Sequence, residues 1–252
     1  VPNASGLRPG SISYAAYDAI GSGTYVSNLT QHARFPYDPD WEGQYALFEG
    51  PTGRADAYGA VMRGYLIPPA SGTYTFWIAT DDNGELWMST TTNPAAMTRI
   101  AYLDGYASSR QWTKYSTQKS AARALIAGQA YYVEARMKEG GGGDHVAVAW
   151  MGPATANQTN VISGLYLAPY FMNYVPHPSG FTNAIRRNLQ TGAKVGRISV
   201  ADVNPDDTAA FAITAGNTGE TFSVDGDGWV RIRDDAALLT AGRYHGAAHQ
   251  QP

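Results

Sequence analysis

Cysteine is absent from this chain. There is therefore no disulfide framework, no thiolate metal site and no cysteine nucleophile, and stability has to come from an apolar core or from bound ions. Charge is scarce as well. Asp, Glu, Lys and Arg make up 15% of the 252 residues, with a formal net charge of -3, whereas roughly 25% is usual for soluble domains. Acids outnumber bases and no Lys/Arg stripe is present to neutralise phosphates, which argues against a nucleic-acid partner. No apolar run approaches the roughly 18 residues that span a bilayer, so membrane insertion is not expected. The opening VPNASGLRPG lacks the charged-then-apolar profile of a signal peptide, and any signal is expected upstream and removed. His32, His177, His245 and His249 show no mutual spacing that would make a metal face. Neither a Gly-X-Ser-X-Gly elbow nor a His-Glu-X-X-His motif occurs.

What the chain does have is tyrosine (17), glycine (28) and abundant threonine, a composition suited to β-rich extracellular proteins. Helical periodicity is hard to find, while period-two alternation recurs between turn signals, the pattern of an all-β protein. In GYLIPPASGTYTFWIATDDNGELWMST, residues 65–67 read as a short strand and 68–72 as a turn. Residues 73–79 then read as a strand with Tyr74, Phe76 and Ile78 on one face, and Leu86 and Met88 resume the pattern past the acidic break. In ALIAGQAYYVEARMKEGGGGDHVAVAWMGP, Tyr131, Val133, Ala135 and Met137 share a face, four glycines interrupt, and Val146, Val148 and Trp150 continue. Both stretches read as hairpins ending in acidic, glycine-bearing loops. Trp77, Trp87 and Trp150 fall within strand patterns and read as structural. Past Pro169 the segment YFMNYVPHPSGFTN reads as a linker, which divides the chain into residues 1–174 and 175–252. The second part shows short alternating runs at 195–200 and 211–214, and no strand pattern after Tyr244.

The two loops carry the chemistry. Neighbouring side chains of an extended chain point to opposite faces, so Asp81 and Asp82 reach one point only if the backbone turns locally. A cis peptide between them is one such device, and a divalent cation held by both carboxylates would offset its cost. Calcium suits the donors, since it takes six to eight hard oxygens in irregular geometry. Gly141 and Gly142 can aim backbone carbonyls inward, and Asp144 offers a third carboxylate. Asp-Asp-Asn-Gly alone is commonly a turn, and Gly-Gly-Gly-Gly alone a flexible loop. The pair of loops is more specific than either. Asn83, Glu139 and His145 flank the site as candidate ligand contacts, together with the acids. Tyr106, Trp112 and Tyr115 could stack on a sugar, with Arg110 as a donor, although core filling is the commoner use of such aromatics.

The stretches PTGRADAYGAVMRGYLIPPASGTYTFWIATDDNGELWMSTTTNP and YSTQKSAARALIAGQAYYVEARMKEGGGGDHVAVAWMGP resemble the PA-14, or protective-antigen, domain over roughly residues 5–170. The resemblance implies a jelly-roll-like β-barrel or sandwich. In sugar-binding members of that family the paired aspartates, joined by a cis peptide, hold a calcium ion that chelates sugar hydroxyls, a role that falls here on Asp81 and Asp82. Fungal members typically place an asparagine in the second loop, where this chain has Asp144 and His145. The segment VGRISVADVNPDDTAAFAITAGNTGETFSVDGDGWVRI resembles part of a bacterial cadherin-like repeat, an Ig-type sandwich, with Asp202 and Asn204 at the positions of inter-repeat calcium ligands. It is shorter than the about 100 residues of such a sandwich, so no second ion site is expected there.

The expectation is thus a non-catalytic, calcium-dependent carbohydrate-binding module of a secreted bacterial adhesin or polysaccharide-acting enzyme, monomeric as an isolated chain. One alternative is a spacer that uses calcium only for rigidity. Another is a glycoside hydrolase using Asp82 with Glu85 or Glu139, against which stands the lowered pKa of ion-bound carboxylates.

Overall fold

The computed structural model describes residues 7–172, 177–179, 190–201, 211–215, 217–234 and 247–250. Two compact units divide the chain, Val1–Asn173 and Tyr174–Pro252.

The first unit is an all-β sandwich of two open sheets. Its strands are β1 (Ile12–Tyr17), β2 (Trp41–Tyr45), β3 (Gly59–Leu66), β4 (Gly72–Asp81), β5 (Asn83–Met88), β6 (Thr98–Leu103), β7 (Arg123–Leu125), β8 (Tyr131–Lys138), β9 (His145–Met151), β10 (Asn160–Val161) and β11 (Leu167–Pro169). The larger sheet runs β2-β1-β3-β8-β5-β6, with β11 also paired to β3, and the smaller runs β10-β9-β4-β7. Alternation decides which side chains meet between them. Tyr131, Val133, Ala135 and Met137 of β8 face Tyr74, Phe76 and Ile78 of β4 and Val146, Val148 and Trp150 of β9 in one buried cluster. Within it Trp150 stacks on Tyr74, ring centroids 4.9 Å apart. The Val, Ile, Phe and Met side chains among them each contribute about 1.5–3 kcal/mol through burial.

The far face of the larger sheet is polar yet also closed off. Glu134 on β8 is 3% exposed, and it accepts from Arg63 Nε (2.9 Å), Arg136 Nε and the Tyr132 hydroxyl. Arg63 lies over the Phe35 ring, centroid 5.4 Å away, and Tyr170 packs edge-on to Tyr132. The short helix α1 (Val26–Thr30) buries Val26 and Leu29 in the same stretch of chain that supplies this cover.

The hairpin reading is corrected by the pairing. β4 pairs with β7 and β9, not β5, and β8 pairs with β3 and β5, not β9. Nor do β3 and β4 share a sheet. Alternation assigns each strand a face but no partner, and here the links after β4 and β8 cross from one sheet to the other. The registers Asp81↔His145 and Asn83↔Lys138 then place the two crossings side by side.

The second unit contains β12 (His177–Ser179), β13 (Lys194–Arg197), β14 (Ser199–Ala201), β15 (Phe211–Ala215), β16 (Phe222–Val224), β17 (Trp229–Ile232) and β18 (Ala247–Gln250). They form small antiparallel sheets, β12-β14, β13-β17-β16 and β15-β18, with Val195 and Ile232 buried together. The last strand lies beyond Tyr244, where the sequence showed no strand pattern; it pairs with β15. Asp202 and Asn204 lie outside the described residues.

Candidate functional site

The link from β4 to β5 is the single residue Asp82, and the Asp81-Asp82 peptide is cis. The link from β8 to β9 carries Glu139, the four glycines and Asp144. Because both links cross between the sheets at one end of the sandwich, one oxygen each of Asp81, Asp82 and Glu139 lies within 4.8 Å of the others. Glu139 keeps the inward parity of Val133, Ala135 and Met137, so its side chain enters the mouth of the sandwich. It is fully buried, and neither carboxylate oxygen has a hydrogen-bond partner. Burial, then the charges of Asp82 and Asp81, push its pKa up to about 7, and the Asp82 backbone tempers the shift without completing a hydrogen bond. Burial and then Asp82 also raise Asp81.

The glycine loop is held from several sides. Gly140 N donates to Asp82 Oδ2 at 3.0 Å. A Cβ at Gly140 would come within 2.7 Å of the Ser22 carbonyl oxygen, which no side chain tolerates without a backbone shift. Gly142 adopts φ +115°, a conformation open to glycine, and its N donates to Asp56 Oδ1 at 3.0 Å. Asp144 is also buried. Its Oδ2 accepts from Ala55 N at 3.0 Å, while Oδ1 has no partner. Beneath the cluster, the fully buried Lys138 donates to Gly21 O (2.7 Å) and Glu139 O (2.6 Å). Burial lowers its pKa, against the pull of Glu139 and Asp82.

Of the residues singled out from sequence, Asp81, Asp82 and Glu139 converge in one cluster. Gly141 and Gly142 are exposed on the loop that arches past it, whereas Asp144 is directed onto the 53–57 loop. Asn83 is buried and accepts from Gly105 N at 2.9 Å. His145 is buried at the start of β9, with its pKa lowered by burial and Nε2 unpartnered. Arg110 is forked onto Glu49 (2.9 and 2.6 Å). Trp112 and Tyr115 are half-buried, and Tyr106 is exposed. Sequence reasoning missed Asp56 and Lys138. Asp56 sits in a loop without pattern, 86 residues from the glycine it holds, so no local signal marks it. Lys138 was marked only by its place beside Glu139.

The geometry is thus a cluster of carboxylates at the mouth of an open β-sandwich, one of them buried without a hydrogen-bond partner. Residues 43–161 match the family described as the PA14 domain. It is 31% identical over 118 residues to the mouse N-acetyl-beta-glucosaminyl-glycoprotein 4-beta-N-acetylgalactosaminyltransferase 1, the match covering 45% of this chain and 11% of that protein. It is 36% identical over 84 residues to mouse fibrocystin-L, covering 33% of this chain and 2% of that one. The chain thus spans only a small part of the length of either relative. Among solved structures, the PA14 sugar-binding domain of an RTX adhesin superposes with a TM-score of 0.49 at 11% identity, over 65% of this chain and all of that one. Among the described residues no helix is long and apolar enough to cross a membrane.

Proposed function

We propose that the first unit is a non-catalytic carbohydrate-binding module whose acid cluster holds a calcium ion. The observation that carries this reading is Glu139: a carboxylate with no exposed surface and no hydrogen-bond partner for either oxygen, set within 4.8 Å of two further carboxylates. Like charges so placed repel, and a buried charge is tolerated only when paired or bound to metal. A cation resolves both costs, and an all-oxygen donor set suits calcium. Asp81, Asp82 and Glu139 would hold it directly, with carbonyls of the loop containing Gly141 and Gly142 as further donors. Asp144 and Asp56 would act by fixing that loop.

A bound calcium with positions open to solvent would supply direct coordination of vicinal sugar hydroxyls. The chain's own part is to hold the acids together from two separate crossings, and to border the opening with Asn83 and His145. The printed name of the mouse transferase relative supports a carbohydrate context, although only 11% of that protein is matched. A single shallow site of this kind gives millimolar to high-micromolar affinity, about 4–6 kcal/mol, and repetition of the module would raise avidity. The setting proposed is an extracellular adhesin or polysaccharide-acting enzyme, with residues 175–252 as a cadherin-like spacer. Sugar titration followed by NMR would then move resonances of the first unit and none of residues 190–234.

The deciding experiment is glycan-array binding in calcium and in chelator. Signals present in calcium and lost in chelator are expected. A blank array in saturating calcium removes the lectin reading, and if calcium still raises the melting temperature, the spacer reading replaces it.

A further inference from the structure

One exposed cation stands at the rim of the acid cluster with no carboxylate partner among the described residues. The segment after β6 is fastened on both sides of Tyr106: Gly105 N donates to Asn83 Oδ1 at 2.9 Å, and Ala107 N donates to Thr80 O at 2.9 Å. Thr80 and Asn83 are the residues that flank the Asp81-Asp82 pair, so the backbone of Tyr106 is fixed beside it. The Tyr106 side chain is 56% exposed. Lys114 returns to it, Nζ donating to Tyr106 O at 2.7 Å and lying 3.5 Å from the ring centroid. The other basic groups nearby are engaged. Arg110 is forked onto Glu49, and Lys138 is buried on two carbonyls.

We propose that Lys114, held on Tyr106, is a specificity-determining cation that favours glycans bearing an anionic group over their neutral counterparts. The inference rests on the sugar-binding reading of this site. Three carboxylates around a dication leave a formal negative charge, which by itself disfavours an anionic sugar. An ammonium at the rim reverses that preference. Its bond to the Tyr106 carbonyl leaves N–H donors free, and the ring beneath restricts the side chain, so less entropy is lost on binding. The anionic group can be the carboxylate of an acidic sugar or a sulfate ester, which share this recognition.

The test uses the full chain in saturating calcium at low salt. Its probes are methyl glycosides of glucose, galactose and mannose, their matched uronic acids and their 6-sulfates, with affinities measured by NMR titration. An exposed charge pair corresponds to a preference of up to about fivefold, declining as salt is raised. The wild type is expected to prefer uronides, sulfates or both, which identifies the anion. Lys114→Gln should bring the acidic-to-neutral ratio to about one or below, and Lys114→Arg should keep it above one. Equal binding of acidic and neutral partners by the wild type overturns the proposal, as does a preference that survives in Lys114→Gln. Absence of calcium-dependent binding to every probe overturns both this inference and the sugar-binding reading beneath it.

Discussion

Replacing Asp82 by asparagine should change the stability of the first unit in opposite directions with and without calcium. The side chain keeps its size, and its amide oxygen can still accept from Gly140 N, a bond now 3.0 Å long. What disappears is one of three carboxylates within 4.8 Å of one another. At that separation a pair of like charges costs about 1 kcal/mol in water-like surroundings and about 3 kcal/mol near a protein surface. Without calcium, Asp82→Asn should therefore melt at or above the wild type. In calcium the ranking inverts. Ion at a hundred times its dissociation constant stabilises the wild type by about 2.7 kcal/mol, or about 5–10 °C for a unit of this size, and the variant loses most of that shift. Paired calorimetric scans in calcium and in chelator measure both arms. Equal destabilisation of the variant in both buffers would refute the reasoning, because a merely structural aspartate does not distinguish them.

Two further predictions follow from buried carboxylates. Glu139 in the ion-free protein has its pKa raised to about 7 by burial and by Asp82 and Asp81, so calcium must displace a proton. Apparent calcium affinity should weaken as pH falls below about 7, with proton release visible by calorimetry in buffers of different ionisation enthalpy, and affinity constant between pH 6 and 8 would contradict this. For Glu134, burial opposes ionisation, but Arg63, Arg136 and Tyr132 outweigh it and lower the pKa. Its stabilising contribution is present above the unfolded carboxylate value of about 4.3 and is lost as pH falls through the lower folded value. Glu134→Ala, which removes the buried carboxylate onto which Arg63, Arg136 and Tyr132 all donate, should cost about 3–5 kcal/mol at neutral pH in urea unfolding, and a cost under 1 kcal/mol would show that the network adds nothing.

Alternation and acidity were legible locally. The inward faces of β4, β8 and β9 follow from period two, because the direction of a side chain depends only on its parity along an extended strand. The proximity of Asp81 to Asp82 is likewise written in their adjacency. The identity of the third carboxylate in the cluster was less accessible, although parity offered a clue. Glu139 continues the inward series of β8, whereas Asp144 comes after glycines that break the extended geometry on which parity counting depends.

Strand faces, the apolar core and the two acidic links were determined by the sequence alone, since each rests on relations among residues a few positions apart. Only the tertiary structure decided that β4 and β8 end in crossings between sheets, that Gly140 meets Asp82 across 58 residues, that Asp56 holds Gly142, and that Lys114 returns to Tyr106. The physical reason is that partner choice and register are set by how all the inward faces pack together, and no local stretch contains that information.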